Sequence, residues 1–255
     1  FPLARSSPAG NKKGPLRSPA SGASDATSLR DWLRPGIRCA DRLGQHMLKK
    51  EGVKVTWQQM QGEVIVTSLQ AKRIDAAFLY EPHVAKAVAD GHGRYAASVA
   101  PYGEEDANTV LMRKDFIEAN RAAAVAWLKA NIEALYFIRD NPVETINLVK
   151  RELPDYSRET LWHAIYGKPP AAISAAPIGL YAEMSITGRA RAMLERGHAF
   201  LRELKIVQEA TFHPEGIRDD LVKQAFRELG LDPSKGLFEI ATSDANPFKG
   251  DHLIV

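Results

Sequence analysis

Two short runs, Trp57-Gln58 and Tyr80-Glu81-Pro82, carry the side chains best suited to gripping a small molecule. Trp57 and Tyr80 offer broad apolar ring surface at low entropic cost. Glu81 can accept hydrogen bonds from a donor or balance a cationic group. A structural role stands beside this one: Glu81 precedes a helix starting at Pro82 and can cap it through the helix dipole, with Tyr80 filling the edge of the fold. Spacing leaves both roles open. Catalytic arrangements are missing. The seven histidines are scattered without HxxxH or HExxH spacing, which argues against a metal site. His83 and His92 read as surface or helix-end residues. There is no GxSxG elbow, no P-loop and no GxGxxG after a strand; Gly91-His92-Gly93 is a turn. Nothing around Cys39 would lower its thiol pKa. The expectation is a binding protein with no catalytic residue, no metal and no cofactor.

Composition agrees with a globular chain. Of 255 residues, 45% are apolar and 25% charged, enough to bury a sizeable core. A formal charge of +3 without an Arg/Lys stripe interleaved with aromatics argues against nucleic acid. No apolar run approaches the length needed to cross a bilayer, so direct membrane insertion is not expected. One cysteine excludes an intrachain disulfide and fits either a reducing compartment or a periplasm. The chain begins at Phe1, which allows a removed secretory signal.

The elements that would position the two runs follow from periodicity. Phe1–Thr27 is rich in Pro, Gly, Ser and Ala and cannot bury enough apolar surface to offset ordering entropy, so residues 1–40 are expected to be disordered. A helix is predicted over Asp41–Glu51, closed by Gly52, then a strand over Val53–Trp57. Glu63–Lys72 reads as a helix with Val64, Ile65, Ser68 and Leu69 inward. The apolar run Ile74–Leu79 suits a strand buried on both faces, and Pro82–Asp90 a helix with proline in its first turn. Tyr95–Val99 and Thr109–Arg113 read as strands. In open α/β sheets ligands bind beyond the carboxyl ends of strands, which is why Trp57-Gln58 and Tyr80-Glu81-Pro82 stand out. The second half reads as helical. Asp115 and Glu118 form an acidic capping box, and Ile117, Ala124, Leu128, Ile132 and Leu135 one apolar face up to Arg139. Asn141-Pro142 ends that helix and starts the next. Further helices are predicted at Ser157–Tyr166, Thr187–Leu204 and Ile217–Leu229, the last closed by Gly230, with an irregular connection at Gly167–Gly179.

The run Leu69-Gln70-Ala71-Lys72-Arg73-Ile74-Asp75-Ala76, continued by Tyr80-Glu81-Pro82, resembles the "L-x-x-G-x-I-D-A … W/Y-E-P" signature of ABC-transporter solute-binding proteins. The branch is that of nitrate, sulfonate, taurine and thiamine-precursor binders. Val110-Leu111-Met112-Arg113-Lys114-Asp115-Phe116-Ile117-Glu118 is similar to its "lvvrkdfie" stretch, and the likeness runs over residues 43 to 150. Lys72 stands where the family has Gly; a left-handed Lys there costs on the order of 1 kcal/mol.

The resemblance implies an α/β, periplasmic-binding-protein type II-like fold, with one α/β lobe over 41–140 and a largely helical region over 141–255. Asp75 would be structural, and Tyr80, Glu81 and Pro82 would lie at a cleft between lobes that close on a small solute. It further implies a periplasmic location, with the signal peptide outside this sequence, and ABC permease subunits as partners. The family's opening strands and helices have no counterpart before residue 43. The first lobe is therefore expected to be incomplete, with residues 1–40 native or from a shifted reading frame. Three other readings stand. A pyrimidine synthase of the thiamine pathway shares the fold but needs iron-binding cysteines and a pyridoxal-phosphate lysine, against a single Cys39. An effector lobe of a transcription regulator needs a helix-turn-helix that is not present. A truncated fragment would bind nothing.

Overall fold

The computed structural model describes residues 2–4, 52, 54–58, 60–96, 109–168, 180–203, 205 and 207–251. The predicted helix at Asp41–Glu51, most of the segment 1–40, Cys39 and most of Gly167–Gly179 lie outside them. The chain divides into two compact units, Phe1–Asp106 with Pro169–Pro177, and Ala107–Lys168 with Ile178–Val255. This division falls ahead of the helix that the sequence reading grouped with the α/β lobe.

The described residues of the first unit hold three short strands and two helices. Strand β1 (Pro2–Ala4) lies between β2 (Ala76–Phe78) and β3 (Arg94–Tyr95) and is antiparallel to both, with Leu3 opposite Ala77 and Tyr95. Three residues at the head of a low-complexity run thus pair as a strand, contrary to the expectation of disorder there. Backbone pairing needs no side-chain period, and Pro2 is tolerated as a strand's first residue. Helix α1 (Gly62–Gln70) buries Val66 and Leu69 with Ile65 beside them, while Val64 is exposed. The inward stripe runs Gly62, Ile65/Val66, Leu69: Ile65 and Leu69 lie inward as predicted, Ser68 is half-buried, and Val66 stands in for the exposed Val64. Helix α2 (His83–Ala89) adds Val84 and Ala87, and Leu79 completes this core. Fully burying a Leu or Val is worth roughly 1.5–3 kcal/mol, so these few side chains carry the unit.

Both helices end alike. After α1, Lys72 adopts φ 57°, with Lys72 N–H donating to Leu69 O and Arg73 N–H to Ser68 O. After α2, Gly91 adopts φ 71°, with the equivalent bonds to Val88 and Ala87. These are Schellman closures, and the left-handed Lys72 expected from the signature is present. Two predicted strands are absent: residues 54–57 and 109–113 carry no ladder, with Val55 and Leu111 exposed. Strand β2 covers only three residues of Ile74–Leu79 and is half-buried, not enclosed on both faces.

The second unit is mostly helical: α3 (Lys114–Ala119), α4 (Arg121–Asp140), α5 (Pro142–Glu152), α6 (Arg158–Ile165), α7 (Gly188–Glu203) and α8 (Asp219–Glu228). Asn120, at φ −136° and ψ 43°, leaves the helical region and separates α3 from α4, where one apolar face was read as continuous. Asp115 sits inside the first turn of α3 and not at its N-cap, which is Arg113; its carboxylate pairs with Arg113 and accepts the Phe116 N–H at 2.9 Å. Asn141-Pro142 does divide α4 from α5, and Ser157 caps α6 by accepting from Thr160 N–H. Helix α4 buries Ala124, Val125 and Ile132 against Leu221, Ala225 and Phe226 of α8, which is why it belongs with this unit. Gly236 lies so close to Phe226 that a Cβ there would meet its ring at 2.9 Å. A second core joins Ile146, Tyr156, Leu161, Trp162, Tyr166 and Ile240. An antiparallel pair, β4 (Leu180–Glu183) with β5 (Leu237–Ile240), adds strands to the half predicted as largely helical. Four-residue strands that pair across a long stretch of chain leave no local signal.

Candidate functional site

The chain leaves β2 at Phe78, passes Leu79 into the core and reaches α2 through Tyr80, Glu81 and Pro82. The carboxylate of Glu81 is held from both sides. Its Oε2 accepts the Ala85 N–H at 2.9 Å, and its Oε1 accepts the Tyr95 hydroxyl at 2.7 Å. The first bond satisfies an otherwise orphan donor in the opening turn of α2; the second ties that turn to β3. Burial pushes the Glu81 carboxyl above the usual glutamate range, while the bonds from Tyr95 and Ala85 oppose that shift. The Tyr95 phenol is also pushed up, by burial first and then by the Glu81 charge and hydrogen bond. Glu81 thus holds the first turn of α2, the structural role that the sequence offered beside ligand contact.

Tyr80 is 42% exposed, and its ring meets His83 edge-on with centroids 5.1 Å apart. His83 is buried, a helix-end residue but not a surface one, and burial holds its imidazole below the ordinary histidine range. Its Nε2 lies 3.7 Å from Glu63 Oε1, the opposing influence. The ring occupies the space beside Gly62: a Cβ on that glycine would lie 2.4 Å from Cδ2 and Nε2. Sequence reasoning missed His83. The signal available was a glycine opening one helix and a histidine opening the next.

Trp57 stacks on Phe78 at 5.5 Å and 29° and is half-buried, whereas Gln58 is exposed. Neither follows a strand, so the strand-end argument for Trp57 and Gln58 fails. Trp57 reaches the segment through its ring contact instead. Asp75 is exposed at the approach to β2. The five residues singled out from sequence thus divide: Tyr80, Glu81 and Pro82 form one turn, Trp57 touches the strand leading into it, and Gln58 makes no side-chain hydrogen bond or ring contact described here.

No group of three or more His, Cys, Asp or Glu among the described residues could hold a metal. A shallow depression of about 290 Å³ lies on the second unit, lined by Arg202, Lys205, Val207 and Gln208, and includes none of the five. No described helix is long and apolar enough to cross a membrane.

A family model described as NMT1-like matches residues 4–150, more than half the chain, and takes in both α1–β2–α2 and the long helix α4. The match opens at residue 4, not near residue 43 where the motif likeness begins. No curated protein and no solved structure matches the chain.

Proposed function

The chain belongs to the NMT1-like family of nitrate, sulfonate, bicarbonate and thiamine-precursor binders, and on that premise we propose that it is the solute-binding component of an ABC importer. The family implies a periplasmic-binding-protein type II fold and consists mainly of binding proteins, with some enzymes. A single observation carries the proposal: the family match spans the segment in which the chain leaves a strand, exposes Tyr80 and enters a helix whose first turn is held by Glu81. Tyr80 and Trp57 would pack against the solute, Pro82 would set the turn, and Glu81 would hold that turn rigid from beneath. Docking on permease subunits and a periplasmic location follow from the same reading.

A solute bound only to the folded state raises its stability, by roughly 2.7 kcal/mol at one hundred times Kd. Thermal melts with sulfonates, nitrate, carboxylates, pyrimidines and amines test the reading. A dose-dependent rise in Tm for one class supports it. Flat curves across the panel would overturn it.

A further inference from the structure

We infer that the surface formed by Trp57, Phe78 and Tyr80 receives a small organic cation; this rests on the solute-binding reading above. Leu79 turns into the core at 4% exposure, while Phe78, the last residue of β2, is half-buried and Tyr80 is exposed. Trp57 stacks on Phe78, and Tyr80 meets the buried His83 edge-on. These two ring pairs, on either side of Leu79 in the chain, make up an aromatic wall, with Glu63 3.7 Å from His83 and its side chain 74% exposed.

Three features of the wall select charge. Aromatic faces carry negative quadrupole density and attract cations, most strongly at tryptophan. The place where an anion would ordinarily sit, among the free amides at the start of α2, is taken by the chain's own Glu81 carboxylate on Ala85 N–H. An anionic solute would meet the exposed Glu63 carboxylate at the rim. Burial keeps His83 neutral near neutral pH, so the wall gains no positive charge from it. An organic ammonium ion with apolar substituents fits each of these conditions: its methyl or methylene groups cover ring surface, and its charge is balanced by Glu63 at the rim.

The test compares three probes of similar size on the full chain: tetramethylammonium, tert-butanol and methanesulfonate. Chemical shifts of the Trp57 indole N–H and the Tyr80 and His83 amides are followed during titration. Tetramethylammonium should move them saturably and bind at least several-fold more tightly than tert-butanol, with methanesulfonate weakest. Trp57→Leu keeps apolar bulk but removes the ring and should weaken tetramethylammonium several-fold while barely changing tert-butanol. Glu63→Gln, at an exposed position, should weaken only the cation. Methanesulfonate binding at these resonances as tightly as tetramethylammonium would overturn the inference and leave solute binding intact. Tetramethylammonium shifting only remote resonances would do the same. No response to any of the three, together with flat melts across the wider panel, would remove both.

Discussion

The paired acids of the second unit and Glu81 of the first stand in opposite circumstances. In the second unit, acids sit in water beside cations: Asp220 between Arg218 and Arg121, Asp251 on Arg158 at 2.7 Å, Glu228 on Lys129 at 3.3 Å. Their carboxyls are held below the usual range by hydrogen bonds from those partners and from Gln224. In the first unit Glu81 is enclosed, has no cation among its described hydrogen-bond partners, and is pushed up by burial against the opposing pull of those bonds and of the positive chain terminus. Exposed pairs of the first kind contribute little and decorate a frame held by apolar cores. An enclosed carboxylate that must cap a helix and accept a phenol is costly to keep, and such groups gather where a fold does more than persist.

Truncating the frame should have the largest effect. Phe226→Ala empties the α4–α8 seam and should cost about 3–5 kcal/mol in denaturant unfolding, leaving the Tyr80 environment unchanged by NMR. Gly62→Ala drives a methyl into the His83 ring and should cost about 1–3 kcal/mol. Its mark is a shift at Tyr80 and His83 with the second unit untouched. Removing the phenol by Tyr95→Phe takes one donor from a charged acceptor, for about 1.5–3 kcal/mol, and should raise the Glu81 pKa further, read by carboxyl-carbon NMR.

The pH response separates the units by sign. Because the folded Glu81 carboxyl titrates above its unfolded value, its contribution is fully present below the unfolded value and is lost as pH rises through the folded one. Wild type measured against Glu81→Gln should therefore gain relative stability as pH falls toward the ordinary glutamate range. Asp251 has the opposite sign: its contribution is present above the unfolded aspartate value and lost as pH falls through the depressed folded one. Wild type against Asp251→Asn should lose relative stability only in acid. A common sign for the two differences would break the comparison. The smallest effect belongs to Arg113→Ala, whose pair with Asp115 is exposed; its Tm should match wild type within error.

What could be read from the sequence follows the range of the interaction. Local punctuation was legible: Asn141-Pro142 dividing two helices, Ser157 capping α6, and Gly230 ending α8 at φ 69°, whereas the left-handed Lys72 closing α1 was expected only from the family signature. Each is decided by a few neighbouring residues. Long-range pairing was not legible. Pro2–Ala4 joins β2 and β3, and β4 joins β5, through backbone bonds that leave no period in three or four residues. The site lies between these cases. Tyr80-Glu81-Pro82 was found from its chemistry, but the choice between capping and ligand contact for Glu81 depended on Tyr95, fourteen positions further on. His83 was set aside because its burial against Gly62 is a packing fact between two helices.

The most direct test of the account follows the melting temperature of wild type and of Tyr80→Ala across the solute panel. Tyr80 is 42% exposed, so its truncation should leave the unliganded melt nearly unchanged. The account predicts a saturable rise in Tm for wild type with an effective solute, and loss of most of that rise in Tyr80→Ala. An equal rise in both proteins would place the solute elsewhere and contradict the assignment of this segment.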